Sequence, residues 1–470
     1  MARFKLIDAI DRQFFIETIG HSYCLDDTVS RQKYGHDETE DFVFEPHLIL
    51  LPKTTEEISR IMQYCHQKNI CVTVRGGGSG LAGGALPVCG GILISMERLN
   101  RILTIDKKNY QVTTEPGVIT EVLQNTLRDE GLFYPPDPSS RGWSLIGGNI
   151  STNAGGPKAV KYGVVKDYVL NLEVVLANGD VIWTGANTLK NSTGYNLTHL
   201  IVGSEGTLGI VTKIVLKLLP FPPFNLLLLV PFTSATRACE AVAAIFEAGI
   251  TPSAIEFMER EAIDWAIAYI GAVNLPTSVL HEAAAHLLIE VDGHNLDVLQ
   301  GDCEKIYEVV STFDCGEILF ADSDAQKTEL WKMRRNVANA VKTRSVYKEE
   351  DTVVPRAELP KLLAGVKEIG GKYGFKSVCY GHAGDGNLHV NIVRDTLSEE
   401  AWNSELPKGI REIFSLVKSL GGTLSGEHGI GYVQRAYMDI VFSPVEIALM
   451  KGIKSVFDPK GILNPEKIFL

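Results

Sequence analysis

The stretch Ile70–Ala85, ICVTVRGGGSGLAGGA, decides how the first half of the chain reads. A β-branched strand, Ile70–Val74, runs into the glycine loop Arg75–Ala85, where Gly78, Gly80 and Gly83 spell G-x-G-x-x-G. Glu97 lies about where the ribose-binding acid of a dinucleotide fold belongs. That motif works only where the loop opens a helix whose N-terminus faces a pyrophosphate. Here Ala85-Leu86-Pro87-Val88 and Gly90-Gly91 follow, which leaves no room for a helix before the next strand, Gly91–Ser95. The Lys-Ser/Thr ending of a nucleotide P-loop is absent too. What remains is a long loop without side chains, whose N–H groups suit an anion.

Two more clusters share this half. GGNISTNAGG (147–156) follows the turn-rich PPDPSS (135–140), and GSEGTLGIVT (203–212) leads into a strand. One such loop reads as a tight turn. Three, interspersed with Ser79, Ser140, Ser151, Thr152 and Asn153, point to a large phosphate-bearing cofactor held mainly by backbone.

The rest of the chain frames these loops. A helix over 54–69 starts at a Thr54 or Thr55 cap, with Glu57 nearby in capping-box fashion. Strands read as Gln111–Thr114, Leu172–Leu176, Val181–Trp183 and Gly209–Leu216, with Asn178-Gly179 turning a hairpin. Pro220–Pro223 marks a boundary, and from about 224 to 400 strands alternate with amphipathic helices. The expected domains are 1–222, 223–420 and a closing segment 421–470. With 470 residues, two or three domains are expected. A balance of −12, from 45 Lys+Arg against 57 Asp+Glu, argues against a nucleic-acid partner. No run reaches the roughly 18 apolar residues of a membrane span, and MARFKLIDAIDRQFFIETIG has no signal-peptide core. The 8 cysteines form no C-x-x-C pair, so free thiols and the cytoplasm are expected, with the inner-membrane surface as an alternative address.

Chemistry concentrates in YGHAGDGNLHVNIV (380–393). A two-residue turn at Asp385-Gly386 sets His382 opposite His389, with Asn391 on the same face and Val390 and Ile392 on the other. Cross-strand histidines there stand ~5 Å apart and suit one divalent ion; ordinary turn histidines are the plainer alternative. SGEHGIG (425–431) adds Glu427 as an anionic third ligand and His428 as a base. In ELWKMRRNVANAVK (329–342), one of Arg334 and Arg335 faces a site, where a guanidinium would bind a carboxylate bidentately.

These motifs resemble the vanillyl-alcohol oxidase/p-cresol methylhydroxylase flavoproteins over nearly the whole chain, and within them the FAD-linked D-2-hydroxy acid dehydrogenases. The resemblance implies an α+β protein: a two-subdomain FAD-binding domain of the p-cresol methylhydroxylase type, a ferredoxin-like substrate (cap) domain, and a C-terminal segment returning to the FAD domain. It places the FAD pyrophosphate on Arg75, Gly76, Gly77, Gly78, Ser79 and Gly80. Pro136, Asp137, Ser140, Gly147, Gly148, Ser151, Thr152, Asn153 and Gly156 follow from the second cluster, and Gly206, Ile210, Val211 and Asn464 complete the site. Many covalent members carry a histidine near the end of the first loop; Gly78-Ser79-Gly80 here implies non-covalent FAD. By the same likeness His382, His389 and Glu427 hold the metal, zinc first, with manganese or iron also fitting. His428 takes the proton, Arg334 binds the substrate carboxylate, and Asn391 contacts substrate.

Two departures bear on substrate. A hydroxyl residue of the D-2-hydroxyglutarate enzymes is Ala338 here, and their substrate lysine is Glu349, with Lys348 one place off as a further substrate contact. D-lactate or glycolate is therefore expected ahead of D-2-hydroxyglutarate. Without a cysteine relay, electrons leave to an external acceptor: an electron-transfer flavoprotein, an iron–sulfur subunit or a quinone. A homodimer is a family habit. The rival from another class is a divalent-metal hydrolase of a nucleotide-like substrate, built on the same two histidines and Glu427; a non-catalytic subunit is the blander third reading.

Overall fold

The computed structural model describes residues 3–39, 42–271, 283–321, 323–395 and 397–470. The chain forms two units: Met1–Gly155 with Val164–Phe221 and Glu427–Leu470, and Gly156–Gly163 with Pro222–Gly426. The sequence division misses the excursion 156–163 and closes the second unit six residues early, at 420 instead of 426.

In the first unit β1 (Cys24–Leu25), β2 (Leu48–Leu50), β3 (Val72–Arg75) and β4 (Ile92–Ser95) form a sheet of order β1-β2-β4-β3. Here β3 and β4 run parallel with no helix between them, as the failed dinucleotide motif requires. Helix α1 (Thr55–Lys68) starts at Thr54, whose hydroxyl accepts from the N–H of Glu57, and buries Ile58, Ile61, Met62 and Cys65 against this sheet. A second, antiparallel sheet follows the order β5-β6-β10-β8-β9, from β5 (Ile102–Asp106), β6 (Gln111–Thr114), β8 (Val169–Val175), β9 (Val181–Trp183) and β10 (Ile210–Lys217). The short pair β7 (Leu132–Phe133) and β11 (Leu219–Pro220) stands apart. The C-terminal segment returns to this unit: Asn464 donates its N–H to the Val72 carbonyl, and its side-chain Oδ1 accepts from the N–H of Val74.

The second unit is one antiparallel sheet, order β15-β12-β14-β13-β17-β18-β16 among the described residues. Its strands are β12 (Phe224–Phe232), β13 (Ala254–Glu259), β14 (Ala285–Gly293), β15 (Leu319–Ala321), β16 (Tyr347–Val353), β17 (Lys376–His382) and β18 (Asn387–Val393). Helix α2 (Ala235–Glu247) crosses from β12 to β13, and α4 (Leu296–Val310) from β14 to β15, so order β15-β12-β14-β13 is a ferredoxin-like half. Helix α3 (Arg260–Ile270) is inserted after β13. The pattern recurs: β16, α7 (Leu359–Tyr373), β17, β18 and α8 (Leu406–Ser419) form a second half, whose fourth strand survives only as the bridge between Val353 and Thr423. The halves join edge to edge where β13 pairs with β17.

One face of this sheet carries α3, α5 (Asp324–Arg335) and α6 (Val337–Lys342), which bury Ile263, Leu330, Met333 and Val337 against Leu229, Met258, Leu288, Tyr380 and Val393. Each such side chain contributes roughly 1.5–3 kcal/mol on burial. The stretch 329–342 spans two helices, α5 and α6, which meet at Asn336. Leu226–Val230 reads as an unbroken apolar run because β12 is paired on both sides and covered on both faces.

At the tip between β17 and β18 the chain makes a 3₁₀ turn over Ala383–Asp385 and then passes through Gly386 at φ +86°. A Cβ added at Gly386 would lie 1.9 Å from the Val354 carbonyl oxygen, which is backbone and cannot step aside. Replacing Gly386 by alanine is expected to destabilise the protein by at least about 2 kcal/mol, read as a lowered midpoint in thermal unfolding; an unchanged midpoint would contradict this.

Candidate active site

The register of the histidine hairpin differs from expectation. Tyr380, not His382, stands opposite His389, because the loop is a 3₁₀ turn and not a two-residue turn at Asp385-Gly386. The slip is by two residues, and side chains alternate with period two, so His382, His389 and Asn391 keep one face. The imidazoles of His382 and His389 lie 5.3 Å apart, centroid to centroid, and nearly perpendicular at 83°. Val390 and Ile392 point to the other face and are fully buried.

His382 stands opposite Glu256 of β13. Its Nδ1 lies 2.8 Å from Glu256 Oε1 and 3.0 Å from Oε2, and Arg334 Nη2 lies 2.5 Å from Oε2. Burial pushes the Glu256 carboxyl upward, but Arg334 and then His382 outweigh it and hold it below the usual range. Glu256 is thus an ionised acceptor, the proton sits on His382 Nδ1, and Nε2 is presented across the ring. His389 Nδ1 faces two further acids, Glu349 Oε1 at 3.4 Å and Asp351 Oδ1 at 3.5 Å. Asp351 is fixed in turn by Asn387 at 2.7 Å and by the Ser425 hydroxyl at 2.7 Å.

Two polar groups here lack hydrogen bonds among the described residues. Asn391 is fully buried with neither amide atom paired, and Arg334 is 4% exposed with Nε unpaired. Burying such groups without partners costs on the order of 1–3 kcal/mol each, which marks them as waiting for a ligand. Of the two adjacent arginines, Arg334 is the inward one; Arg335 lies over the Trp331 ring at 5.1 Å. Lys348 does not join them. It pairs with Ile392, so its side chain takes the opposite face of β16, and the site-facing positions are Glu349 and Asp351.

In the first unit the three glycine clusters converge. Gly76 packs at the Cα of Gly148, Gly77 lies under the Trp143 carbonyl, and Ser151 accepts a backbone hydrogen bond from Glu205 at 2.8 Å. The N–H groups of Gly76, Gly77, Gly78, Ser79 and Gly80 make no hydrogen bond among the described residues, as an anion cradle requires. Other expected contacts are spoken for. The Arg75 guanidinium is buried and donates to the His36 carbonyl at 2.5 Å. Asp137 pairs with Arg141 at 2.8 Å, the Ser151 and Thr152 hydroxyls bond back to Gly147 and Gly148, and the Asn153 side chain accepts from the Lys166 N–H. Asn464 staples β3 to the Glu205 carbonyl beside Gly206, Ile210 and Val211 are buried in β10, and Ser140 caps the turn to Trp143. Pro136 offers its carbonyl to Gln124, and Gly156 belongs to the second unit. Glu97 is no ribose ligand: it accepts from Tyr34 and Ser95.

Glu427 and His428 open the last segment of the first unit, one peptide bond beyond Gly426, whose N–H is bonded to the Asp351 carbonyl at 3.1 Å. A Cβ on Gly155 would lie 3.0 Å from Glu427 Oε2, so this carboxylate rests on the second glycine cluster. The loop behind His428 is fastened by a residue absent from the sequence reading. Glu205, itself at φ +52°, accepts from the N–H groups of Ile430 at 2.8 Å and Gly431 at 2.7 Å. Its carboxylate leaves no space for a side chain at Gly429, where a Cβ would sit 2.9 Å from Oε1.

Converging glycine loops with unpaired N–H groups in one unit, and imidazole, carboxylate and guanidinium groups gathered on one sheet face in the other, suit a flavin-linked oxidoreductase. Residues 46–185 match the model of the FAD binding domain, and 222–468 match that of FAD linked oxidases, C-terminal domain. The glycolate oxidase subunit GlcD of Bacillus subtilis (strain 168) is 38% identical over 97% of this chain and 96% of its own. D-lactate dehydrogenase of Anaerostipes hadrus is 35% identical over 93% and 92%, and D-2-hydroxyglutarate dehydrogenase of Stutzerimonas stutzeri (strain A1501) 32% over 95% and 96%. Among solved structures, p-cresol methylhydroxylase with substrate bound shares the fold at a TM-score of 0.80 and 19% identity, over 97% of this chain and 96% of that one. The protein belongs to the FAD-linked oxidases of the vanillyl-alcohol oxidase/p-cresol methylhydroxylase family, and it is an FAD-dependent oxidoreductase. That membership sets aside the metal-hydrolase alternative. No helix among the described residues is long and apolar enough to cross a membrane.

Burial lifts the Glu205 carboxyl to about 7, against a usual 4.5, although the two N–H donors pull it down. A carboxyl raised on folding stabilises the protein most when protonated, so its contribution falls as pH climbs from about 4.5 to about 7. The unfolding midpoint of wild type relative to Glu205→Gln should therefore decline across that window; a pH-independent difference would contradict the assignment.

Proposed function

We propose that the protein oxidises a small D-2-hydroxy monocarboxylate, D-lactate or glycolate, to the 2-oxo acid and hands the two electrons to an external acceptor. The relatives support the substrate class, since glycolate oxidase, D-lactate dehydrogenase and D-2-hydroxyglutarate dehydrogenase all match over nearly full length. The observation that carries the reading is the pair of buried, unsatisfied groups, Arg334 Nε on α5 and the Asn391 amide on the sheet face that holds His382 and His389.

Bound FAD, cradled by Gly76–Gly80 and the two further glycine clusters, supplies the sink for the hydride from carbon 2. A divalent ion, zinc first and manganese or iron otherwise, suits the donor set His382, His389 and Glu427, and would act as Lewis acid on the substrate hydroxyl. Arg334 binds the substrate carboxylate and fixes the angle of carbon 2. Asn391 hydrogen-bonds the polar end of the substrate. His428 accepts the hydroxyl proton as the hydride departs, so that one C–H and one O–H bond break and a C=O bond forms.

Glu349 and Asp351 favour a monocarboxylate. Both face His389 and are nearly buried, so a second substrate carboxylate near them meets like charge in a low dielectric. D-lactate should reduce the flavin with a higher kcat/KM than D-2-hydroxyglutarate, and Glu349→Gln should narrow that ratio by about 10-fold; a ratio already favouring the dicarboxylate would overturn this preference.

Anaerobic titration with a panel of D-2-hydroxy acids and glycolate tests the whole reading. Bleaching of the flavin band by a member of the panel is expected, and a protein that holds flavin yet bleaches with none of them refutes it. His428→Ala should retain flavin and slow bleaching at least about 100-fold. Bleaching at the wild-type rate would remove His428 from the mechanism. Prolonged chelation should stop bleaching without releasing flavin, and zinc or manganese should restore it.

A further inference from the structure

We infer that Glu256 is a positioning residue that couples the metal end of the site to its carboxylate-binding end. The inference rests on the proposed roles of His382 and Arg334 and deepens them. Glu256 is completely excluded from solvent and comes from the first ferredoxin-like half, whereas His382 comes from the second. Its oxygens lie 2.8 and 3.0 Å from His382 Nδ1, and Oε2 lies 2.5 Å from Arg334 Nη2. One carboxylate therefore sets two orientations at once. It fixes the ring plane and tautomer of His382, which presents Nε2 to an ion and makes that nitrogen a better donor. It also meets the Arg334 guanidinium as an ion pair at Nη2, and Nε, which makes no hydrogen bond among the described residues, is left to meet a substrate carboxylate.

The neighbouring acids do not duplicate this function. Glu349 and Asp351 address His389, and Glu290, on the same face of β14, is taken up by Lys158 at 2.7 Å and by the Trp331 indole N–H at 3.1 Å. Removing Glu256 should accordingly disturb two functions that share no other residue.

The test uses the full-length, flavin-loaded protein. Chelator-treated wild type, Glu256→Gln, Glu256→Asp and His389→Ala are titrated with zinc against a competing chromophoric chelator, and kcat and KM for D-lactate are measured after reloading. Glu256→Gln should weaken zinc binding about 10–100-fold and raise the KM for D-lactate, with flavin content unchanged and partial rescue of both by Glu256→Asp. Wild-type zinc affinity and KM in both Glu256 variants, alongside loss of zinc in His389→Ala, would overturn the coupling while leaving the metal site standing. Undiminished zinc binding in His389→Ala would instead overturn the metal reading, and this inference with it. Should Glu256→Gln fail to fold, the aspartate variant carries the same comparison.

Discussion

Where β13 pairs with β17, three cross-strand positions join two ferredoxin-like halves, and the pairing brings Glu256 opposite His382. The chemistry of the second unit hangs on that junction. It assembles an acid from one half, an imidazole from the other and a guanidinium from the helix overhead, and neither half holds the set alone. The energetic logic is that of a buried charge network. Taking a carboxylate fully out of water costs several kcal/mol, and the structure offsets the cost by giving both oxygens cationic or N–H partners. Nothing but this arrangement makes a completely buried glutamate tolerable between Ile255 and Phe257.

The first unit solves a different problem with backbone. Its loops expose N–H groups because glycines let three turns approach one another, while the side chains within them, Ser151, Thr152 and Asn153, are spent on holding the turns. Glu205 continues the theme on the far side. It stands where an isolated carboxylate would be unwelcome and converts that cost into order for the loop that carries His428. In both units a buried acid acts one step removed from the reacting groups.

Much of this was legible in the residues. The glycine clusters, the failure of the dinucleotide motif, the second-unit alternation and the shared face of His382, His389 and Asn391 all follow from local rules about turns and period-two strands. The errors have local causes too. Asp385-Gly386 reads as a two-residue hairpin turn, but a 3₁₀ turn over Ala383–Asp385 lengthens the loop by two residues, and only the even size of the slip kept the histidines together. Lys348 reads as a substrate contact because it lies one place from Glu349, the position that matches the substrate lysine of the D-2-hydroxyglutarate enzymes, and the register of β16 turns it away. Glu256 was invisible because nothing in its local sequence marks it out, and only the pairing of strands far apart in sequence buries it. Glu205 was hidden likewise, its partners lying some 225 residues downstream.

The excursion Gly156–Gly163 has its own consequence. Lys158 and Lys161 leave the glycine-loop half of the chain to pair with Glu290 and Asp292 on β14, where Tyr162 also donates to Asp292 at 2.7 Å. Both acids are nearly sealed from solvent. The second unit is therefore not a contiguous module: a fragment excised between Pro222 and Gly426 would inherit two buried anions stripped of their counterions. Evolution could transplant this domain into another protein only by carrying an eight-residue strip of its neighbour along with it.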